Sequence, residues 1–191
     1  LTWLKEHSES GTPLKFIFFW GHTSQLNEPV GKFCLSQWYE CPFSVEGITY
    51  ITSEHWMMAQ KALLFGDEAI FQKIATSKKP GEAKDLGRQV SGFNEQVWNS
   101  NKIDIVKQGN LHKFGQNPAL SDYLLDTGDR ILVEASPIDP VWGIGLAEED
   151  KNIGQVEAWK GLNLLGFVLM EVRDLLRFKE SSEVEHVESI L

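Results

Sequence analysis

Two carboxylates occupy positions from which a side chain could do chemistry. Glu54 begins a predicted helix, and Asp139 precedes Pro140 in a loop that also contains Pro137. A pair of carboxylates can cleave a glycosidic bond, with one protonating the leaving group or activating water and the other stabilising an oxocarbenium-like centre. Each also has a structural explanation, since glutamate complements a helix dipole and aspartate before proline favours a turn. The sequence alone leaves both interpretations open.

Three cationic side chains on predicted helices could hold phosphate groups. They are Lys61, Arg88 and Lys113. A phosphate-bearing substrate would need at least one or two of them to point inward, whereas solvated surface residues are the alternative. Glu54, Met58 and Lys61 are spaced i, i+4, i+7, which places them on one helical face. The sequence therefore predicts that Glu54 and Lys61 face the same pocket.

The chain is rich in tryptophan, with seven in 191 residues. Several lie beside Gly, Asp, Glu or Ser, which is typical of a pocket that stacks a flat ring, although large core residues are the alternative. Trp98, Ile105 and His112 recur every seven residues and predict one stripe along a helix. The tryptophans are Trp3, Trp20, Trp38, Trp56, Trp98, Trp142 and Trp159.

The motifs of several common enzyme classes are absent from the sequence. There is no HExxH, no CxxC and no close histidine pair, so we expect no metal. Gly143-Ile144-Gly145 is only a fragment of a dinucleotide fingerprint, and no GxSxG elbow occurs. Cys34 and Cys41 cannot form a disulfide scaffold. We therefore expect no cofactor.

The charge balance limits the partners. Lys and Arg total 18 and Asp and Glu total 27, which gives a net charge of −9. Strong non-specific binding to nucleic acid normally needs a basic surface, so it is disfavoured. No apolar run approaches the roughly 20 residues of a membrane span, and no signal peptide is recognisable. We expect no membrane partner and a cytoplasmic protein, with the nucleus as the alternative.

Helical patterns outnumber strand patterns, so the predicted class is α+β, a mainly helical single domain with a few short strands. The expected organisation is an N-terminal extension at 1–15, one domain at 16–178 and an acidic tail at 179–191. Strands are predicted at 15–20 and 130–135, with a hairpin at 43–51. Helices are predicted at 54–65, 67–76, 80–90, 95–112, 118–125 and 162–178.

Taken together, the motifs resemble those of the NADAR (NAD- and ADP-ribose-associated) domain family, also called YbiA-like. Their order and spacing fit across roughly residues 16 to 177, which makes the ordered set specific. The matching segments are Phe19-Trp20-Gly21, Leu35-Ser36-Gln37-Trp38, Pro42-Phe43, YITSEHWMMAQKA (50–62), AKDLGR (83–88), Trp98, Lys113-Phe114, VEASPIDPVWGIG (133–145) and WKGLNLLGFVLMEVR (159–173).

The resemblance implies a YbiA-like fold and an enzyme that cleaves N-glycosidic bonds. It implies that Glu54, Trp98 and Asp139 are catalytic. In the guanine-deribosylating branch a lysine forms a Schiff base with the ring-opened ribose, and Lys61 is the candidate for that role, with Lys113 and Lys32 as alternatives. An amine can attack the anomeric carbon when burial or a nearby cation lowers its pKa.

The resemblance also implies a set of substrate-binding residues. Trp98 or Trp142 could stack the base, Arg88 and Lys113 could hold phosphates, and Gly143 could let backbone N–H groups approach an anion. The full set implied for substrate binding is Trp20, Gly21, Ser36, Trp38, Arg88, Lys113, Trp142, Gly143 and Asn163.

Two branches of the family offer different substrates. One removes ADP-ribose from guanine in nucleic acid, and the other hydrolyses ribosylamino-pyrimidine phosphates of riboflavin biosynthesis. The LSQW segment replaces the shorter SNF form of the riboflavin-type members, and WGIGL replaces a glycine-richer loop; both favour the guanine branch. The expected partner is the ADP-ribose moiety of a modified guanine nucleotide or of single-stranded DNA. A non-catalytic NAD or ADP-ribose-binding module and a plain structural protein are the rivals.

Overall fold

The computed structural model describes residues 2–9, 13–24 and 30–188, which fall into two compact units. The first unit comprises Leu1–Ser36 and Ser121–Leu191, and the second comprises Gln37–Leu120. Helices dominate and strands are short, so the predicted α+β class is confirmed; the predicted domain boundaries stay a prediction. In chain order the described elements are α1 (Thr2–Glu9), β1 (Phe16–Phe19), a 3-10 helix (Lys32–Leu35), β2 (Phe43–Val45), β3 (Ile48–Tyr50), α2 (Ser53–Leu64), α3 (Glu68–Thr76), α4 (Pro80–Gly87), α5 (Glu95–Gly115), α6 (Pro118–Asp126), β4 (Ile131–Glu134), a 3-10 helix (Val156–Ala158) and α7 (Leu164–Glu188).

The first unit is built on β1 and β4, which pair in parallel with Phe16 opposite Ile131 and Phe19 opposite Glu134. Both strands were predicted from their apolar runs, but their pairing was not. Leu4 of α1 is fully buried in the same core cluster as Ile131. The described part of α1 thus contributes an apolar side chain to this core, and the predicted N-terminal extension at 1–15 stays a prediction.

Helix α7 packs on β4 through a close approach of the two backbones. A Cβ at Gly166 would lie 2.0 Å from the carbonyl oxygen of Leu132, so only glycine fits there. Just before the helix, the buried Asn163 amide donates to the Leu132 oxygen (2.9 Å) and its Oδ1 accepts the N–H of Glu134 (2.9 Å). Asn163 therefore fixes the start of α7 against the strand. The helix continues to Glu188, beyond its predicted end near residue 178.

The second unit surrounds α2, which packs against α3, α4 and α5. Residues 52–59 are all buried, so this helix forms the centre of the unit. Its N-cap is Thr52, whose side chain accepts the N–H of His55, as the sequence predicts. The predicted stripe on α5 faces α2, since the Trp56 ring lies 5.5 Å from His112 and donates to the Ile105 carbonyl oxygen.

The remaining predicted elements of the second unit form with small changes of boundary. The antiparallel hairpin of β2 and β3 turns at Glu46 and Gly47, both with positive φ, as two-residue hairpin turns require. Asn94 caps α5 through the N–H of Val97, as predicted. Helix α4 ends at Gly87 rather than near residue 90, and α5 continues to Gly115.

Gly166→Ala is expected to lower the free energy of unfolding by about 2 kcal/mol or more, because its Cβ would overlap backbone that cannot move independently. Gly115→Ala is the matched control: it also lies in a helix, and its Cβ would meet nothing within 4 Å. We expect that control to be neutral or to stabilise the protein by up to about 1 kcal/mol. Urea unfolding of both variants measures the difference, and equal stabilities would contradict the close packing.

Candidate active site

Glu54 lies in the first turn of α2 and is only 3% exposed. Its backbone N–H donates to the carbonyl oxygen of Gln37 at 3.0 Å, which fixes the helix start against the chain before it. A glutamate that only complements a helix dipole can stay in water, whereas burying a carboxylate is costly. The burial of Glu54 therefore favours the functional interpretation of this residue.

Other buried polar atoms surround the start of α2. Ser53 Oγ and Gln37 Oε1 have no hydrogen-bond partner among the described residues. Native proteins bury few such atoms, and those that remain often lie where water or a ligand binds. Burial also lowers the pKa of His55 and so favours its neutral form. The N-terminal end of α2 is thus polar and buried, as a binding site requires.

Lys61 lies two turns further along α2, and its ammonium is held by one carbonyl and two aromatic rings. Its Nζ donates to the Gly87 carbonyl oxygen at 2.8 Å. It also lies 4.4 Å from the centroid of Phe93 and 5.6 Å from that of Trp98. Burial lowers the pKa of Lys61, and the charge of Arg88 lowers it further. A larger fraction of the amine is therefore neutral, and hence nucleophilic, than for an ordinary lysine.

The structure brings two of the predicted residues to Lys61. Trp98 approaches from the first turn of α5, where Asn94 caps the helix. Arg88 follows the last residue of α4, and its exposed guanidinium pairs with Asp85 at 2.9 Å. Arg88 acts on Lys61 through its charge, and its predicted contact with phosphate stays a prediction.

Lys113 is fully buried on α5, which distinguishes it from a surface phosphate-binding lysine. Its Nζ lies 5.8 Å from the Tyr39 centroid and 5.1 Å from that of Phe114. Gln37, two residues before Tyr39, accepts a hydrogen bond from the Glu54 N–H through its carbonyl oxygen. Its side-chain amide donates to Asn110 Oδ1 on α5. Residues 37–39 therefore meet both the helix start that carries Glu54 and the helix that carries Lys113.

Trp38, in the same segment, stands at the surface of the second unit. The Lys84 ammonium lies 5.8 Å from its ring, and Gly81 of α4 approaches the ring edge. Its partly buried ring is placed by α4, and its role in binding stays a prediction.

Asp139 belongs to the first unit, where it organises its own loop. Its Oδ1 accepts the N–H groups of Val141 (2.9 Å) and Trp142 (2.8 Å), while its own N–H donates to Ser136 Oγ. This is the turn geometry that the structural interpretation expects. The second carboxylate oxygen lies outside these bonds, so the same residue can hold the loop and present an acceptor. Its pairing with Glu54, which lies in the other unit, stays a prediction.

The loop that follows Asp139 is tightly packed. A Cβ at Gly143 would lie 2.9 Å from the Glu134 carbonyl oxygen, and the Gly143 oxygen accepts the N–H of Asn163. Close packing therefore explains why glycine occupies this position, independently of the predicted approach of an anion. The Asn163 side chain is already hydrogen-bonded to the backbone of β4. Substrate binding by Gly143, Asn163 and Trp142 stays a prediction.

Trp20 and Gly21 follow β1 at the surface of the first unit. Trp20 is half-exposed and lines a cavity of about 320 Å³ together with Lys32, Tyr123 and Arg130. Lys32 forms an ion pair with Glu148, which reduces its availability as a nucleophile. Ser36 is partly buried directly after the 3-10 helix Lys32–Leu35. An aromatic ring beside cations suits a nucleotide, but these binding roles stay predictions.

Sequence reasoning missed two residues of the lysine site, Gly87 and Phe93. Gly87 packs directly on Met58, where a Cβ would lie 2.0 Å from the sulfur, and its carbonyl binds Lys61. Gly87 is the glycine of the AKDLGR motif (83–88), but the sequence predicted no role for it. Phe93 follows Gly92 in a loop with no helical or strand period, so no pattern singled it out.

The described residues give two further findings on partners. Within 2–9, 13–24 and 30–188, no group of three or more His, Cys, Asp or Glu side chains is arranged to hold a metal ion. No helix in that part of the chain is long and apolar enough to cross a membrane.

Titration of Lys61 tests its surroundings. We expect a midpoint below 10.5, because burial disfavours the charged form, and a higher midpoint in Arg88→Gln, because a repelling charge is removed. NMR of lysines carrying ¹³C-methyl groups measures both values, with Lys61→Met assigning the resonance. Arg177→Gln, in the first unit, is the control. A midpoint at or above 10.5, or one that Arg88→Gln leaves unchanged, would contradict the electrostatics.

Comparison with known proteins identifies relatives over most of the chain. The chain is 45% identical over 166 residues to N-glycosidase R617 of Acanthamoeba polyphaga mimivirus, covering 84% of this chain and 95% of that protein. It is 38% identical over 132 residues to the Zea mays riboflavin biosynthesis protein PYRR, chloroplastic, covering 65% of this chain and 19% of that protein.

A solved structure and a family model agree with these relatives. The NMR structure of the E. coli protein YbiA matches with a TM-score of 0.70 and 30% identity, covering 87% of each chain. The model of the NADAR domain matches residues 18–177. The resemblance read from the motifs is thereby confirmed, and the chain belongs to the NADAR domain family.

Proposed function

We propose that this protein is an N-glycosidase that removes ADP-ribose from ADP-ribosylated guanine in nucleic acid. The coarser part, cleavage of an N-glycosidic bond, is supported by the name of the mimiviral relative, to which 84% of the chain is similar. The guanine substrate is supported by the surroundings of Lys61. An amine of lowered pKa between two aromatic rings suits covalent attack on a sugar that carries a flat base.

The reaction begins with opening of the ribose ring. The lone pair of the guanine amine forms a C=N bond to the anomeric carbon while the bond to the ring oxygen breaks and that oxygen takes a proton. Neutral Lys61 then adds its lone pair to the anomeric carbon. A proton moves from the lysine nitrogen to the guanine nitrogen, and the guanine amine leaves with its bonding pair as the lysine forms an iminium.

Water completes the cycle. It adds to the iminium carbon and loses a proton, and the lysine nitrogen gains a proton. The lone pair of the new hydroxyl then forms the C=O bond as the C–N bond breaks and the hydroxyl proton is released, so ADP-ribose leaves as an aldehyde that closes to the ribose ring, with Lys61 regenerated. The balance is one water consumed for one N-glycosidic bond broken. General acid and base catalysis is needed twice, first to protonate the ring oxygen and then to deprotonate water.

Glu54 is the group we assign to these proton transfers. It lies on the same helix as Lys61, seven residues earlier, so the two Cα atoms are about 10 Å apart along the axis. Their i, i+7 spacing places both residues on one face of α2. A sugar between them would meet the amine and the carboxyl group together. We assign electrostatic stabilisation to Asp139, and to Trp98 the positioning of the Lys61 amine beside its ring.

The net charge of −9 is compatible with a substrate held by one modified nucleotide. An enzyme that acts on a single extruded or unpaired base needs few contacts along the nucleic-acid backbone. We therefore propose single-stranded DNA or a modified guanine nucleotide as the partner. The second candidate function is hydrolysis of ribosylamino-pyrimidine phosphates, which similarity to the maize riboflavin biosynthesis protein favours.

Turnover of a guanine-ADP-ribosylated single-stranded oligonucleotide tests the proposal. We expect wild-type protein to release ADP-ribose, followed by mass spectrometry, at the same rate with and without EDTA. Glu54→Gln is expected to lower kcat by about 100-fold or more, because the proton transfers lose their catalyst. Glu68→Gln is the matched control, since Glu68 is also an acidic residue in a first helical turn but is exposed on α3.

Three outcomes would contradict parts of this assignment. Full activity in folded Glu54→Gln removes Glu54 from the chemistry. Cleavage of a ribosylamino-pyrimidine phosphate but not of the oligonucleotide establishes the second candidate. Binding of ADP-ribose with no cleavage of either substrate establishes a non-catalytic module.

A further inference from the structure

We propose that Phe93 is the stacking surface for the leaving nucleobase and therefore selects flat aromatic leaving groups. The inference rests on the proposed function, in which Lys61 bonds to the anomeric carbon. Phe93 is 47% exposed, although it lies beside a partly buried lysine.

Two neighbours cover part of the Phe93 ring. The Lys61 ammonium lies over the ring, 4.4 Å from its centroid. The Phe65 ring meets Phe93 at 62° with the centroids 5.4 Å apart, which covers part of it edge-on. The ring nevertheless stays 47% exposed, so a second flat ring can still contact it.

The loop that carries Phe93 is fixed by hydrogen bonds at both sides. The N–H of Ser91 donates to the Asp67 carboxylate at 2.9 Å, and Asn94 caps the following helix. Between them Gly92 has a φ of +66°, a conformation that favours glycine. An aromatic ring held in solvent by a fixed loop loses little conformational freedom on binding, which is typical of binding surfaces.

Distances connect this ring to the reaction. When Nζ bonds to the anomeric carbon, the leaving nitrogen is two bonds away, about 2.4 Å from Nζ. A base attached to that nitrogen reaches the ring 4.4 Å from Nζ at the centroid separations of about 4.5–7 Å that stacked aromatic rings adopt. Trp98 lies further from Nζ and is less exposed, so Phe93 is the ring past which a released base can reach solvent.

Variants of Phe93 test whether a flat ring at this position is needed for substrate binding. With the modified oligonucleotide, we expect Phe93→Ala to raise KM about tenfold or more, because a base stacked on an aromatic ring is lost. Phe93→Tyr keeps a flat ring and is expected to stay within about threefold of wild type. Ile103→Ala, which removes an exposed apolar side chain on α5, is the control and is expected to leave KM unchanged.

A binding measurement identifies which part of the substrate stacks. ADP-ribose lacks the leaving base, so calorimetry should give the same affinity for wild type and Phe93→Ala. In the Glu54→Gln background, the intact modified oligonucleotide should lose affinity on Phe93→Ala. An unchanged KM in Phe93→Ala, no rescue by Phe93→Tyr, or an equal loss of ADP-ribose affinity would overturn the proposal.

Failure of the proposed function is distinguishable from failure of this inference. If wild-type protein cleaves only the ribosylamino-pyrimidine phosphate, the same contrast between Phe93→Ala and Phe93→Tyr must appear with that substrate. If it cleaves neither substrate, calorimetry with guanosine 5′-monophosphate tests whether a base binds at Phe93, by comparing the affinities of wild type and Phe93→Ala. Undetectable binding to wild type, or equal binding to Phe93→Ala, overturns the stacking role.

Discussion

The hydrogen bond from the Glu54 N–H to the Gln37 carbonyl oxygen is the interaction on which the second unit depends. The first N–H groups of a helix have no partner within it, and at a buried helix start they must find one elsewhere. Thr52 satisfies one of them and Gln37 another. That requirement places Gln37 against the start of α2, where the Glu54 side chain is also buried.

The second half of α2 carries the partly buried ammonium of Lys61. Lys61 cannot be hydrated fully where it lies, so its ammonium is held by the Gly87 carbonyl and by two aromatic rings. These interactions position the amine, while burial lowers its pKa. One helix thus carries a carboxyl group and an amine of lowered pKa at a fixed spacing, which loops would hold less well. In the first unit, Asp139 binds its own loop amides and so keeps one carboxylate oxygen in a fixed direction.

Local patterns predicted most elements, because caps and apolar periods are short-range signals. Thr52 and Asn94 cap the helices that they were expected to cap. Parallel pairing of β1 with β4 was not predictable, since more than a hundred residues separate strands that carry only four residues each. The spacing of Glu54 and Lys61 follows from the helical period alone, whereas the position of Phe93 beside Lys61 depends on a loop, which has no period. The sequence left open whether Lys113 is solvated or points inward, since most lysines are exposed, and the structure buries it.

The most direct test of the account is to trap the covalent intermediate. Protein turning over ADP-ribosylated guanine is treated with borohydride, which reduces the iminium to a stable secondary amine, and peptide mass spectrometry then locates the ADP-ribose adduct. The account predicts one adduct on Lys61, lost in Lys61→Met. An adduct on Lys113 or Lys32, or complete turnover with no trapped lysine, would contradict it.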